Sequence, residues 1–353
     1  MISLSTFHSN FLSQFIISPD VLSATTQLGE YRGKQELFQR QIPQVLDTLQ
    51  QNAIIQSTES SNRIEGIVVS SKRLESIVVK RDEPRSRSEG EIAGYRDVLA
   101  TIHQSYEHIK VHPDFILQLH GYLMKYTGAN AGRWKSADNT IEEKHPDGTI
   151  RVRFVPTPAW QTPEAVDELC RAFNRAKDIG QFPAPILIAA FVLDFLCIHP
   201  FSDGNGRMAR LLTLLLLYQS GFVVGRYISL EKVIEDTKVQ YYDTLLRSSQ
   251  GWHESAHDFA PWLEYFLTML LEAYHRFEKR VGTIEQTQKK GWKQARIRQV
   301  VDGFIADFTV AQLEEMCPGI SRPTITRTLN ELGKEGVIEC IELGRHAKWI
   351  KKG

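Results

Sequence analysis

The chain has 353 residues, more than a single typical domain, and its 42% apolar and 24% charged residues are the proportions of a folded soluble protein long enough to bury a large core. Lys+Arg and Asp+Glu both number 42, so nothing in the total charge points to nucleic acid or to a membrane surface. The first residues show no basic region followed by an apolar run, so no secretory leader is expected; with no apolar run near the ~18 residues of a membrane span and no CxxC pair, Cys170, Cys197, Cys317 and Cys340 read as reduced buried thiols and the expected compartment is the cytoplasm.

In chain order, most of the sequence predicts helix. Val45, Leu46, Leu49, Ile54 and Ile55 approximate helical spacing over 43–57, and Gly66 is placed to stop that helix or a short extension of it. Amphipathic helices are predicted at 89–103, 113–126 and 163–177, the last with Pro163 in its first turn. Between 138 and 156 the period changes. Thr149-Ile150-Arg151-Val152-Arg153-Phe154-Val155 alternates as a half-buried strand does, after turn chemistry at Pro146-Asp147-Gly148, which predicts a β-hairpin.

Residues 185–197 and 211–218 are almost wholly apolar, which predicts two buried central helices holding the polar, glycine-rich segment 199–207 rigidly between them. Helical patterning resumes from 230 to about 280, and the polar stretch 286–291 reads as a linker. The tail predicts helices at 296–308, 309–317 and 321–334 and strands at 336–341 and 346–350, joined around Gly344-Arg345, the pattern of a winged helix-turn-helix. From Lys289 onward 12 Lys+Arg stand against 8 Asp+Glu, a mild asymmetry that marks the tail as a separate unit. The expected division is a helical region 1–110, a motif-bearing core 111–285 and a winged-helix-like domain 292–353.

The chemistry concentrates in His199-Pro200-Phe201-Ser202-Asp203-Gly204-Asn205-Gly206-Arg207-Met208-Ala209-Arg210. Gly204 and Gly206 let the backbone bend and approach a ligand closely. A helix beginning near Asn205 offers unpaired N–H groups and a positive dipole end, together an anion cradle suited to phosphate. Arg207 and Arg210, three apart, share a helix face and reach toward a polyphosphate. Asp203 is a hard oxygen ligand where Mg²⁺ would bridge phosphates, and His199 enters as a general base. The residues alone suggest nucleotide-dependent transfer of a phosphorus-centred group.

The pattern HPFxDGNGRxxR resembles the signature of the Fic family at every fixed position, nine in twelve, which is a specific signal. The resemblance extends over roughly 35–272, with weaker family-like patterns at Glu89-Gly90-Glu91-Ile92-Ala93-Gly94-Tyr95 and Arg153-Phe154-Val155-Pro156. It implies a mostly α fold: a helical bundle with the motif between two central helices and a hairpin flap at 139–154 that aligns a target segment by strand addition, to which the tail's own pattern adds the winged-helix-like domain. It implies a protein adenylyltransferase using ATP and Mg²⁺. His199 would deprotonate a Ser, Thr or Tyr hydroxyl, and Asp203 would hold Mg²⁺ between the α- and β-phosphates. Gly204, Asn205 and Gly206 would bind phosphate through backbone and amide donors, Arg207 the β-phosphate and Arg210 the γ-phosphate. Met208 and Ala209 fall within the same nucleotide-binding stretch, and Ala209 stands where many relatives have Gly. Tyr241 and Tyr242 resemble a pair packed near the adenosine, with core packing as the plain alternative.

Ser61-Asn62-Arg63-Ile64-Glu65-Gly66 resembles the family's (S/T)xxxE(G/N) inhibitory pattern, on a helix around 46–66. Glu65 would pair with Arg210 and displace the γ-phosphate. In some relatives the same glutamate supports removal of AMP. The partners implied are ATP and a protein bearing a target hydroxyl, this chain itself included, and a homodimer is left open. The rival class is a DNA-binding regulator reading DNA through Arg322 and Arg327, with the helical body as sensor. The unbroken motif favours the enzyme, and the tail's small surplus of charge favours recognition of a protein partner over DNA.

Overall fold

A computed structural model describes all residues except 1–5, 8–10, 42, 129–130, 145–147, 289–291, 303, 305–306, 318–319, 343, 345–346 and 353, and describes the backbone alone at 13, 36–41, 43–45, 144, 282–288, 292, 296, 299 and 315. The turn residues Pro146, Asp147 and Arg345, and the end of the expected linker at 289–291, lie outside the described residues. The chain divides into residues 1–277 and 278–353.

The first unit contains α1 (Phe11–Gln14), α2 (Pro19–Gln41), α3 (Pro43–Ile64), α4 (Ser71–Val78), α5 (Arg87–Ser105), α6 (Pro113–Leu123), β1 (Ile141–Lys144), β2 (Ile150–Phe154), α7 (Thr162–Ile179), α8 (Ala184–Ile198), α9 (Asn205–Gln219), α10 (Leu230–Asp236), α11 (Lys238–Ser249) and most of α12 (Ala260–Gln288). No described helix is long and apolar enough to cross a membrane.

Helices α8 and α9 pack against each other and lack a solvent face. Phe191, Phe195, Leu211, Leu214 and Leu217 are all fully buried, each contributing about 1.5–3 kcal/mol of transfer free energy. Around this pair lie α7 and α11 against α8, and α5 and α3 against α9. Residues 1–110 are therefore part of the same unit as the motif, because the ends of α3 and α5 supply partners for arginines of α9.

The pattern Glu89-Gly90-Glu91-Ile92-Ala93-Gly94-Tyr95 acquires a packing explanation. Gly90 and Gly94 lie on the face of α5 that meets α6: a Cβ at Gly90 would come within 2.7 Å of the Tyr126 carbonyl, and one at Gly94 would collide with the Leu123 carbonyl. Removing both Cβ atoms lets the backbones approach, and the closely docked α5 then carries Glu91 to Arg207.

The 23-residue α2 has no counterpart in the sequence reading. It lacks an apolar stripe and contains Gly29, Gly33, Thr25 and Thr26, all poor in helix propensity. Tertiary contacts hold it instead. Gln35 accepts from Val223 N–H and Tyr274 Oη, and Tyr31 stacks on Tyr274 at 5.0 Å.

Residues 278–353 form α13 (Trp292–Asp302), β3 (Phe308–Thr309), α14 (Val310–Met316), α15 (Arg322–Lys334), β4 (Ile338–Glu342) and β5 (Lys348–Lys351), with antiparallel sheet order β3-β5-β4. The core is Ile297, Val301, Phe308, Leu313, Ile325, Leu329, Leu332 and Trp349, among others. The first helix was expected over 296–308. It ends at Asp302, just before Gly303 in the sequence, and Phe308 pairs with Trp349 as an edge strand instead. Thr309 then starts α14 through a reciprocal capping box with Gln312.

Gly94→Ala is expected to lower the free energy of unfolding by about 1–3 kcal/mol or more through overpacking. Gly29→Ala, on an open helical site with nothing within 4 Å, is expected to raise it by up to ~1 kcal/mol. Urea denaturation of the two variants checks both signs.

Candidate active site

Helix α8 ends at His199, whose N–H bonds Phe195 O at 2.9 Å while its backbone adopts φ 50, ψ 60. Glycine commonly takes that left-handed C-terminal position, and a histidine there costs of order 1–3 kcal/mol. The conformation turns the chain out of the helix and leaves the imidazole at the cavity. His199 Nδ1 lies 3.2 Å from Leu196 O. A carbonyl oxygen only accepts, so Nδ1 carries the proton and Nε2 keeps its lone pair. Burial holds the ring down to about 4, helped by the charge of Lys135 and opposed by the Leu196 hydrogen bond and Glu65. The imidazole is neutral at physiological pH.

The loop that follows is held from both sides. Asn205 accepts from Phe201 N–H at 2.9 Å and donates to Phe201 O at 2.7 Å, so its amide is engaged in closing the turn. The amide was expected to reach phosphate; the backbone N–H groups that open α9 remain for that task. Gly204, at φ 82, precedes the helix, and Asp203 accepts from its N–H at 2.6 Å. His120 stacks on Phe201 at 3.7 Å, donates from Nε2 to Asp203 O at 3.1 Å, and accepts at Nδ1 from Gly132 N–H at 3.1 Å. Burial lowers its pKa to about 4, which keeps this one-donor, one-acceptor form.

Both motif arginines are buried, at 2% and 3% exposure. Arg207 Nη1 bonds Glu91 Oε2 at 2.9 Å, and its Nη2 lies 3.4 Å from Asp203 Oδ1. Arg87 bridges Glu91 Oε1 at 3.1 Å and Asp203 Oδ2 at 3.6 Å. Arg210 donates from Nε to Ser61 Oγ at 2.8 Å, and from Nη2 to Ser61 O at 2.9 Å and Glu65 Oε1 at 2.7 Å. Arg207 Nε and Arg210 Nη1 are buried without an acceptor.

Glu65 sits over the start of α9, where a Cβ at Gly206 would run into its carboxylate. The end of α3 that presents it is tied down by Ser60 and Arg63 to Glu235 and by Lys238 Nζ to Ile64 O at 2.7 Å. These groups surround a cavity of about 350 Å³. Glu65, His199, Asp203, Arg207 and Arg210 line one part. Leu193, Leu196, Tyr241, Tyr242, Leu245 and Leu246 line an apolar part, and Arg153 and Phe154 of the hairpin close a side.

The hairpin pairs Ile141 with Phe154 and Lys144 with Ile150, with a bulge between Ile141 and Glu142. Phe154 stacks on His253 at 5.4 Å and anchors it.

Of the residues singled out in the sequence, His199, Asp203, Gly204, Asn205, Gly206, Arg207, Arg210, Glu65 and Tyr241 line the cavity. Ser61 is buried behind Arg210. Met208 and Ala209 do not line it: both are buried on the side of α9 that enters the core, and Met208 N–H bonds Gly204 O. Sequence reasoning missed Glu91, Arg87, His120, Lys135 and Asn139. Glu91 was within reach of such reasoning, as a carboxylate inside a family-like pattern on a helix; the other four carry no local signal.

Residues 110–217 match the Fic/DOC family. The chain is 36% identical over 83 residues to a Fido domain-containing protein of Dictyostelium discoideum, covering 22% of this chain and 57% of that one. It is 28% identical over 213 residues to a protein of Nematostella vectensis named protein adenylyltransferase Fic, covering 56% of this chain and 44% of that one. The chain thus spans about half the length of these curated relatives. Among solved structures, a Fic family protein from Desulfovibrio desulfuricans superposes with a TM-score of 0.64 at 20% identity, over 96% of this chain and 98% of that one. Fic-1 from C. elegans superposes with a TM-score of 0.58 at 19% identity, over 75% and 72%. These superpositions show the fold, and the match to the Fic/DOC family lies over residues 110–217 of the chain.

Proposed function

We propose that the chain transfers AMP from ATP to a hydroxyl of a protein substrate, and that Glu65 restrains the reaction. The observation that carries the reading is one cavity in which a neutral His199 with a free Nε2 faces an anion cradle built from the start of α9 and two buried arginines. The unpaired Arg207 Nε and Arg210 Nη1, with the N–H groups opening α9, are donors without acceptors, which a polyphosphate would satisfy. The apolar wall with Tyr241 and Tyr242 suits a purine ring. Asp203, half exposed at the cavity edge, is the residue that would hold Mg²⁺. When bound, that ion would neutralise phosphate charge as pyrophosphate departs. His199 Nε2 takes the hydroxyl proton while the oxygen attacks the α-phosphorus. Arg207 and Arg210 orient the β- and γ-phosphates and stabilise the charge that develops.

Restraint by Glu65 is supported by its hydrogen bond to Arg210 and by its place over Gly206, where an anion would lie. Removal of AMP is a second reading. It is favoured by one observation: Glu65 shares the cavity with His199, where a carboxylate is able to orient a water. For residues 278–353 we propose recognition of a protein partner by a winged-helix-like domain. The ion pairs Arg298–Glu335, Arg322–Glu314, Lys348–Glu342 and Lys352–Glu339 engage cations that a DNA backbone would need, which disfavours the DNA reading.

Glu65→Gly is expected to raise AMP transfer about 10- to 100-fold, the shift that loss of a charged hydrogen bond of ~1.5–3 kcal/mol produces. Transfer from ATP labelled at the α-phosphate measures it, and equal rates in both chains with ATP bound would sink the idea. His199→Ala is expected to abolish labelling in the Glu65→Gly chain while ATP binding persists. Because His199 titrates at about 4, kcat/KM should stay level between about pH 6 and 8 and fall only as acid protonates the base. A profile that declines with a midpoint near the ordinary histidine value would remove His199 from that role.

A further inference from the structure

The C-terminal end of α8 should leave its last carbonyls without donors, and the turn 199–201 continues the problem. Every one of these carbonyls is nonetheless engaged. Cys197 O accepts from Thr157 N–H at 3.3 Å and Pro200 O from Lys135 N–H at 2.9 Å. Ile198 O accepts from Lys135 Nζ at 3.1 Å. His199 O lies 3.5 Å from Asn139 Nδ2, which also donates to Phe201 O at 3.1 Å. Lys135 Nζ donates to Asn139 Oδ1 at 2.8 Å and joins the two side chains.

All of these donors come from the two roots of the hairpin, residues 135–139 before it and Thr157 after it. Lys135 is 5% exposed, an ammonium placed at the negative end of the α8 dipole. Trp134, its neighbour, stacks on Phe201 at 5.3 Å. No carboxylate bonds the ammonium among the described residues; its acceptors are a carbonyl and an amide oxygen. A buried lysine so placed has no need to be charged for packing, so a mainly structural position would be served by an apolar side chain of similar length.

We infer that Lys135 and Asn139 are positioning residues of the transfer reaction, fastening the carbonyls on both sides of His199 to the hairpin roots so that the general base and the hairpin move as one body. The inference rests on the proposed AMP transfer. His199 keeps its left-handed backbone only while the carbonyls flanking it are engaged, and that backbone sets the ring with Nδ1 on Leu196 O and Nε2 free. A target segment that docks on the hairpin is thereby registered against Nε2 and not only against the strand.

Lys135→Met, Lys135→Arg and Asn139→Ala are made in the full chain, with and without Glu65→Gly. Transfer kinetics, the Kd of ATP and the ¹⁵N imidazole spectrum of His199 are measured for each. Lys135→Met is expected to lower kcat about 10²-fold, the penalty of a misplaced reacting group. The KM for ATP should stay within about twofold, because the phosphate groups are held elsewhere. Lys135→Arg, which keeps the cation, should recover most of the loss, and Asn139→Ala should fall between. In the spectra the Nδ1–H form should give way to mixed tautomers in Lys135→Met and persist in Lys135→Arg. Parental kcat in Lys135→Met, or an intact Nδ1–H signature in both Lys135→Met and Asn139→Ala, overturns the inference. If Lys135→Met does not fold, Asn139→Ala and Lys135→Arg decide by the same criteria. If no chain transfers AMP, the transfer reading fails by itself and the spectra still decide the clamp.

Discussion

A guanidinium buried in an apolar body must be compensated, because an unpartnered charge there costs several kcal/mol. Arg207 and Arg210 impose that requirement at the start of α9, one turn apart, next to the most apolar helices of the chain. Glu91 meets it for Arg207, and Ser61 with Glu65 meets it for Arg210. These partners lie on α5 and α3, and their arrival explains why the first hundred residues belong to the same unit as the motif. The glycine face of α5 and the ties from α3 to Glu235 and Lys238 follow from the need to deliver three side chains to one place.

The compensation is incomplete in an informative way. Arg207 Nε and Arg210 Nη1 stay buried and unpaired, and the first N–H groups of α9 have no helical acceptors. The fold satisfies Asn205, His120, Lys135 and Asn139 around the same loop, while the two arginines that keep unpaired donors belong to the residues lining the cavity. Donors fixed beside a rigid loop are pre-organised for an anion, which would have to displace only Glu65 from Arg210 to reach them.

Much of this was legible in the sequence, for reasons that differ by element. Helices α8 and α9 were visible because apolar residues on all sides have few other solutions, and β2 because its alternation breaks the helical period around it. The loop 199–207 was visible because glycines, an acid and arginines at fixed spacing have a chemical meaning without any fold. Helix α2 was not, since tertiary contacts through Gln35 and Tyr31 override its poor propensity. Lys135 and Asn139 were invisible because their partners are backbone carbonyls about 60 residues away, and a carbonyl carries no residue identity. The engaged amide of Asn205 escaped for the same reason: its acceptor and donor are both backbone atoms of Phe201.

On the proposed reading, restraint and catalysis share a single electrostatic site. Glu65 occupies the volume that Gly206 opens by lacking a Cβ, and it bonds the arginine that would otherwise meet a terminal phosphate. A carboxylate there is a weaker anion than a triphosphate, but it is covalently tethered and its helix is held by Glu235 and Lys238, so it loses little entropy on docking. Tethering thus offsets the difference in charge. The balance is then set less at Arg210 than at the ties on α3, since loosening them lowers the local concentration of the carboxylate without touching any group that binds nucleotide. A partner that pulled on α3 near Ser60 or Arg63 would release Arg210 while leaving the clamp on His199 intact, because that clamp draws its donors from the hairpin roots alone.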